Sequence, residues 1–291
     1  MTPLTNIPSG TAANPTVVEG GTYMGGYLGD GSSHILIRGA TFTGGTLDIM
    51  GGGENVTFER CRFSGHRLLA NVNGIDKPRY GTRFIGCEFE DCENGIYFGK
   101  HYHQSLVSDC SFRLAQDKAI YAGEDTDSTN VCEYNRFDGT ACQSAVLVWR
   151  AGGIVRGNVV IGGPLGIAIG VHTSKRRPTG VVEDNMVVYG DGRCIAYSIA
   201  GTEGLVLRRN FAGWARNPSM VPRVLESIRN DDGQANDGLR AGEWRVHLWS
   251  DGKANHDPLQ PVFDYAQAPG WTDIGGSRVT LDGAGYLVRG A

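Results

Sequence analysis

Residues 55–63 read NVTFERCRF, and the pattern of this stretch returns along most of the chain. With Cys61 as the index position, the pattern recurs at intervals of 21 to 27 residues. The index positions are Ala40, Cys61, Cys87, Cys110, Asn135, Asn158, Asn185 and Asn210. A repeat of this length indicates a solenoid, in which each repeat forms one structural unit that packs on its neighbours.

Two apolar columns flank the index position. Three residues before it stand Ile37, Phe58, Phe84, Val107, Cys132, Val155, Val182 and Leu207. Two residues after it stand Phe42, Phe63, Phe89, Phe112, Phe137, Val160, Val187 and Ala212. Each repeat also divides into three short segments of alternating polarity, which is typical of half-buried strands, and helical apolar spacing is absent. Three strands in every repeat predict an all-β fold, a parallel β-helix of about 8–10 coils.

Equivalent residues of neighbouring coils would stack about 4.8 Å apart. The five successive Phe residues would then form an aromatic stack inside the solenoid. The four Asn residues would form a hydrogen-bonded ladder, although Asn is also common in ordinary turns. We expect the Cys residues at earlier index positions to be small buried thiols in the place that Asn takes later.

The chain is predicted to contain three parts. Residues 1–15 are interpreted as a flexible leader or particle-attachment segment, and residues 16–230 as the β-helix. Residues 231–291 lack the repeat and are interpreted as a C-terminal cap or an oligomerisation segment. Beyond Gly213, where the register is lost, further strands are expected at Val224–Ile228, Trp244–Trp249 and Arg278–Leu281.

Composition narrows the function classes. The chain of 291 residues has a formal net charge of −4 and a pI near 6.0, which does not favour a general nucleic-acid-binding surface. Neither a secretory signal nor a membrane-spanning apolar run is apparent, so we expect synthesis in the cytoplasm and no membrane insertion. Seven Cys without a CxxC pair do not suggest disulfides or zinc. No cofactor is expected. Calcium is the weaker alternative, because Asp231–Asp237 has a calcium-like composition but lacks the alternate spacing and terminal Glu of a calcium loop.

The coil pattern resembles the right-handed parallel β-helix superfamily of pectate lyases, pectin lyases, polygalacturonases and phage tailspikes. The resemblance covers about residues 16–230 and lies in the index column, where that superfamily commonly has an Asn ladder between the second and third strands of a coil. It implies a single-stranded right-handed parallel β-helix. It also implies a ligand groove along the first strand of each coil and the loop after it, and by analogy with tailspikes a trimer or other homo-oligomer.

Aligning the coils on Ile96, Ile120, Val146 and Ile167 brings polar and aromatic residues together on that face. Carbohydrate-binding residues are predicted to be Tyr97, Lys100, Tyr102, Tyr121, Trp149, Arg150 and Arg176, since flat rings suit sugar rings and cations suit acidic sugars. If the protein is an enzyme, the catalytic residues are predicted to be Glu124, Asp125, His101 and His172, acting as acids and bases. An equally simple interpretation is that these loop residues are merely solvated.

Two functions remain open, and a purely structural particle component without sugar affinity is a weaker third. The first is a carbohydrate-binding spike or fibre on the surface of a phage or phage-like particle, which attaches to cell-surface polysaccharide as a receptor. The second is a polysaccharide lyase or glycoside hydrolase that acts on acidic polysaccharide. The sequence motifs that carry activity in the enzymes of this superfamily are missing or distorted. In residues 216–223, RNPSMVPR, for example, the second Arg comes later than the RxPxxR motif of pectate lyases requires. The first function is therefore favoured.

Overall fold

The structure is a computed structural model. It describes residues 1–65, 69–73, 77–99, 101–113, 115–123, 129–139, 141–143, 145–149, 153–162, 165–171, 180–188, 193–199, 205–208, 210–213, 244–247, 279–281 and 287–289. In this part of the chain all regular structure is β, and no helix occurs. Three parallel ladders run along the molecule, and each coil of the chain contributes one short strand to each ladder. The predicted parallel β-helix is confirmed.

The first ladder contains Thr46–Met50, Leu69–Asn73, Asn94–Phe98, Lys118–Ala122, Ala145–Trp149, Leu165–Val171 and Arg193–Ile199. The second ladder contains Thr16–Glu19, Ile35–Arg38, Val56–Glu59, Arg83–Ile85, Leu106–Ser108, Val131–Glu133, Gly153–Arg156, Gly180–Glu183 and Leu205–Arg208. The third ladder contains Thr41–Thr43, Arg62–Ser64, Glu88–Glu90, Ser111–Arg113, Arg136–Asp138, Val159–Ile161, Met186–Val188 and Asn210–Gly213. Thr22–Leu28 pairs with both the third and the first ladder, and a short extra ladder joins Arg79–Tyr80 to Tyr102–His103.

The predicted aromatic stack fills the core beneath the third ladder. Ring centroids are 4.8 Å apart for Phe42 and Phe63, 4.5 Å for Phe63 and Phe89, 4.6 Å for Phe89 and Phe112, and 4.9 Å for Phe112 and Phe137. Interplanar angles of 4° to 13° show that the rings are nearly parallel. In-register pairing superposes equivalent side chains, so the spacing of the rings follows that of the strands.

The Asn ladder is confirmed for the three index positions whose side chains are described. The amide of Asn135 donates to Asn158 Oδ1 at 3.0 Å, and that of Asn158 donates to Asn185 Oδ1 at 3.0 Å. The side-chain amides of Asn135, Asn158 and Asn185 also donate to a backbone carbonyl of the preceding coil, each at 2.9 Å. The accepting carbonyls are those of Val107, Cys132 and Val155, respectively. Each of these side chains is almost fully buried, so its polar atoms need the partners that the stacked coils supply. The side chain of Asn210 lies outside the described residues.

The earlier Cys residues occupy the same place and make the same contact. The thiols of Cys61, Cys87 and Cys110 donate to the carbonyls of Ile37, Phe58 and Phe84 at 3.4, 3.4 and 3.5 Å. These carbonyls belong to the apolar column that also receives the Asn amides. The prediction of buried thiols at Cys61, Cys87 and Cys110 is confirmed, and the six Cys that are described are all buried and free. Burial raises the pKa of Cys92 and of Cys142 to about 12, so both thiols are protonated at neutral pH.

A left-handed residue precedes each of the seven index positions from Ala40 to Asn185 and makes the corner between the second and third strands. The residues with positive φ there are Gly39, Arg60, Gly86, Asp109, Tyr134, Gly157 and Asp184. Only three of the seven are Gly, although the conformation is unfavourable for other residues. The stacked index side chains and the ladders on both sides fix the backbone of the corner.

The two ends of the chain add to this picture. Thr2–Leu4, within the segment expected to be a leader, pairs in parallel with Thr22–Leu28, and Leu4 is buried. These residues are therefore packed on the solenoid; the attachment role stays a prediction. At the other end Trp244–His247 pairs in parallel with Asn210–Gly213, and Val279–Leu281 forms an antiparallel pair with Leu287–Arg289. Val224–Ile228 and Asp231–Asp237 lie outside the described residues.

Candidate functional site

One column on the outer face of the first ladder combines aromatic and polar side chains. In-register pairing aligns Tyr27 with Asp48, Asp48 with Asn71, Asn71 with Tyr97 and Tyr97 with Tyr121. Because strand residues alternate between the two faces, the neighbours of these five residues on the same strands point inward and are buried or nearly so. These five residues are called the outer column below.

Two aromatic rings at one end of the outer column stack on each other. The rings of Tyr97 and Tyr121 have centroids 4.9 Å apart and an interplanar angle of 10°. Tyr97 is 37% exposed, and partial burial, with the neighbouring Tyr121, raises the pKa of its hydroxyl. At neutral pH the Tyr97 hydroxyl is therefore protonated and can both donate and accept a hydrogen bond. The predicted stacking of these two residues is confirmed.

The middle of the outer column is polar. Asn71 Nδ2 donates to Asp48 Oδ1 at 2.8 Å, which holds both side chains in one orientation. Tyr27, which is 49% exposed, lies at the other end of the column. Four coil spacings of about 4.8 Å separate Tyr27 from Tyr121, so the column is about 19 Å long. An extended ligand that follows the solenoid axis would meet an aromatic ring, a polar pair and then two stacked rings.

The remaining described faces of the solenoid carry charges that neutralise one another. On the second ladder Arg38 contacts both Glu19 and Glu59, at 3.0 and 2.9 Å. On the third ladder Glu90 contacts Arg62 and Arg113, at 2.7 and 2.6 Å. Exposed ion pairs of this kind are typical of a solvated surface and add little stability. Among the described faces, the first ladder is therefore the one whose outer surface carries a column of aromatic side chains, Tyr27, Tyr97 and Tyr121.

Two of the predicted carbohydrate-binding residues lie inside the solenoid, so the prediction that their rings face a ligand is wrong. Tyr102 is 0% exposed and donates its hydroxyl to the carbonyl of Gly123 at 2.9 Å. Trp149 is 1% exposed and packs edge-on against Phe98, with centroids 6.3 Å apart. Both rings belong to the hydrophobic core of the solenoid.

The register of the strands explains the error at Trp149. Ile120 pairs with Leu147, whereas the sequence alignment had placed Val146 opposite it. With this shift of one residue, Trp149 falls opposite Ala122 and points inward. A one-residue slip moves every side chain of a strand to the other face. The run Ala145–Trp149 is apolar throughout, so its polarity does not reveal the register.

The residues predicted to be catalytic are not assembled by the described part of the chain. His101 is exposed, adopts a φ of 55°, and accepts a hydrogen bond from Arg79 N through its carbonyl at 2.8 Å. The other predicted residues lie outside the described residues: Lys100, Glu124, Asp125, Arg150, His172 and Arg176. In the described part of the structure, no group of three or more His, Cys, Asp or Glu side chains is arranged to hold a metal ion.

Tyr27, Asp48 and Asn71 were missed by the sequence analysis. A signal existed: extending the first-ladder alignment back from Ile96 through Ala70 and Leu47 brings Asp48 and Asn71 into line with Tyr97. A second exposed aromatic group, Tyr80, stacks on His103 with centroids 5.0 Å apart, on the short extra ladder and away from the outer column.

Comparison with known protein families gives a match over much of the chain. A family model described as "Right handed beta helix region" matches residues 25–185, more than half of the chain. No curated protein and no solved structure matches. Among the described residues, no helix is long and apolar enough to cross a membrane.

Proposed function

Since the chain belongs to the right-handed β-helix family, we propose that it is a carbohydrate-binding protein whose outer column holds an extended polysaccharide along the solenoid axis. The observation that carries this proposal is the stacked pair Tyr97 and Tyr121, with Tyr97 partly exposed on a rigid ladder. An aromatic face buries the apolar side of a sugar ring, and the phenol hydroxyl bonds the sugar's own hydroxyls. Strand-borne rings need no ordering on binding, which lowers the entropic cost.

The polar pair supports the same function. Asp48 and Asn71 hold each other at 2.8 Å and retain free acceptor and donor capacity for sugar hydroxyls. Their separation from the Tyr97 and Tyr121 rings along the column is set by the coil spacing of about 4.8 Å. Alternating ring contacts and hydrogen bonds suit a polymer of repeating sugars better than a small compact ligand.

Charge favours a neutral glycan over an acidic one. Asp48 is the ionisable carboxylate of the outer column, and it would repel a uronic acid. On the first ladder Lys118 already contacts Asp117 at 2.8 Å. The chain as a whole carries a formal net charge of −4. The proposed ligand is therefore a neutral cell-surface polysaccharide.

The biological setting belongs to the same proposal. The resemblance of the coil pattern to phage tailspikes supports a spike or fibre on a phage-like particle, with attachment through the N-terminal segment. The same analogy supports a homotrimer. Analytical ultracentrifugation of the full chain tests the oligomer, and a monomer at micromolar concentration would count against it.

The binding experiment is affinity electrophoresis of the full chain through gels that contain neutral or uronic-acid polysaccharides. We expect retardation by a neutral glycan and a loss of about tenfold in affinity for Tyr97→Ala/Tyr121→Ala, equivalent to about 1.4 kcal/mol. Tyr80→Ala is the matched control, because Tyr80 is 41% exposed and stacks on His103 outside the column. Equal losses in both variants would contradict the proposed site.

The alternative function, a lyase or hydrolase for acidic polysaccharide, is tested on the same samples. A protein that only binds releases neither reducing ends nor unsaturated uronate. Turnover that disappears in Glu124→Gln or Asp125→Asn would replace the binding function by an enzymatic one.

A further inference from the structure

An arginine lies inside the solenoid at the corner between the first and second ladders. Arg79 is 0% exposed although it belongs to a short strand at the edge of a coil. Its guanidinium lies over Gly53, where an added Cβ would come within 2.7 Å of Nη1. The missing side chain at Gly53 is therefore what makes room for this cation.

The hydrogen bonds of Arg79 leave part of the guanidinium without a partner. Nη1 donates to the carbonyl of Met50 at 2.8 Å, and Nε donates to Thr82 Oγ1 at 3.3 Å. Nη2 is buried and has no hydrogen-bond partner among the described residues. Neither acceptor carries a charge. Burial lowers the pKa of Arg79 to about 10, so the group remains cationic at neutral pH.

A second buried polar group without a partner lies one coil away. Arg83 pairs with Leu106, and Leu106 N donates to the carbonyl of Thr82 at 3.0 Å, which places Ser105 next to Thr82 in the stack. Ser105 is 1% exposed, and in the described part of the chain its hydroxyl has no hydrogen-bond partner. The hydroxyl that Arg79 contacts and the hydroxyl of Ser105 are thus neighbours along the solenoid, about 4.8 Å apart at the backbone.

Elementary energetics indicates what this corner accommodates. A buried donor without a partner costs about 1–3 kcal/mol, and a buried charge costs more unless an opposite charge accompanies it. A water molecule would satisfy Nη2 and the Ser105 hydroxyl but would leave the positive charge uncompensated. A small anion would satisfy both donors and the charge together.

We propose that Arg79, with Ser105 and Thr82, forms an internal binding site for one small inorganic anion of about the size of chloride. Arg79 Nη2 and the Ser105 hydroxyl donate to the anion. The site is structural: it joins consecutive coils at one end of the second ladder, and the Asn ladder lies at the other end. It does not depend on the carbohydrate-binding function, because it lies inside the solenoid and the outer column lies on its surface.

The test is urea unfolding of the full chain, followed by tryptophan fluorescence, in sodium chloride and in sodium gluconate at equal ionic strength. Urea is used because guanidinium chloride would itself supply chloride. We expect the midpoint to rise with chloride and then saturate, with the unfolding constant lowered about tenfold when chloride is ten times its Kd. A midpoint that is the same in both salts would overturn the site.

Variants locate the effect. Arg79→Gln should lose the chloride dependence, whereas Arg83→Gln, which removes an exposed arginine four residues away, should keep it. Ser105→Ala should keep it but need several-fold more chloride to saturate, and this variant serves if Arg79→Gln does not fold. Chloride dependence unchanged in Ser105→Ala and in Arg79→Gln would contradict the assignment.

Crystals grown in sodium bromide provide the direct observation. An anomalous peak within hydrogen-bond distance of Arg79 Nη2 is expected. Density at this place without an anomalous signal would show a water molecule only and would overturn the proposal.

Discussion

Replacing Asn158 by Ala removes the central residue of the Asn ladder, and the structure allows the cost to be worked out. The Asn158 side chain is 0% exposed. Its amide donates to the Cys132 carbonyl at 2.9 Å and to Asn185 Oδ1 at 3.0 Å. Its carbonyl oxygen accepts from the backbone N and from Nδ2 of Asn135, both at 3.0 Å. After truncation, the backbone N–H of Asn135 loses its acceptor, Asn158 Oδ1, and the Cys132 carbonyl loses its donor, Asn158 Nδ2.

Each of these two buried groups costs about 1–3 kcal/mol when it is left unsatisfied. The loss of packing around a truncated side chain adds to this, so we expect Asn158→Ala to lower the free energy of unfolding by about 3–5 kcal/mol. That is a large part of the roughly 5–15 kcal/mol that holds a typical domain together. Urea unfolding measured by fluorescence gives the value, and the exposed Asn14→Ala should stay within about 0.5 kcal/mol of the parent.

Asn158→Cys makes the test sharper, because the chain itself places Cys at three earlier index positions. In those coils the thiol donates to the carbonyl that the Asn amide contacts later. The Cys variant should therefore recover part of the loss seen with Ala. A cost below about 1 kcal/mol for Ala, or equal costs for Ala and Cys, would refute the reasoning.

Three further predictions concern the scaffold. Phe112→Ala should cost about 3–5 kcal/mol in urea unfolding, since it interrupts a stack with neighbours 4.6 and 4.9 Å away; a cost under about 1 kcal/mol would contradict this. The free energy of unfolding should fall as pH rises from about 9 towards about 12, because burial raises the folded-state pKa of Cys92 and Cys142 to about 12 from an ordinary 9.0. The stabilisation from these two protonated thiols is fully present below about pH 9 and is lost as pH rises towards the folded-state pKa. Urea midpoints that are equal at about pH 9 and about pH 12 would refute this prediction. Glu59→Gln should cost at most about 1 kcal/mol, and less at high salt, because its partner Arg38 is 41% exposed at the surface; a larger, salt-independent cost would contradict the account.

The scaffold was readable from the sequence because stacking repeats one residue type at one place. Phe at five positions and Asn at four marked the core columns directly, and the structure confirms the Phe stack and, at the described positions, the Asn ladder. The left-handed corner was less visible. Gly39, Gly86 and Gly157 gave a signal there, but Arg60 and Tyr134 adopt the same φ without any propensity for it, since the stacked neighbours impose the conformation.

The surface was harder to predict than the core. Tyr97 and Tyr121 were found because aromatic residues at equivalent positions stand out, and their stacking follows from the register. Trp149 was misplaced because its strand is apolar throughout, so the polarity pattern does not distinguish the two possible registers. The pairing of Trp149 with Ala122 in the structure is what shows that the Trp149 side chain points into the core. Asp48 was missed because a single polar residue on an outer face is ordinary in a strand that is half exposed.

The most direct test of the account is the affinity of the purified chain for neutral polysaccharide when Tyr97 and Tyr121 are both replaced by Ala. Loss of about tenfold or more in affinity, with an unchanged urea midpoint and with Tyr80→Ala like the parent, is the predicted result. Retention of the full affinity by the double variant, or binding to acidic polysaccharide alone, would contradict the outer column as the binding surface.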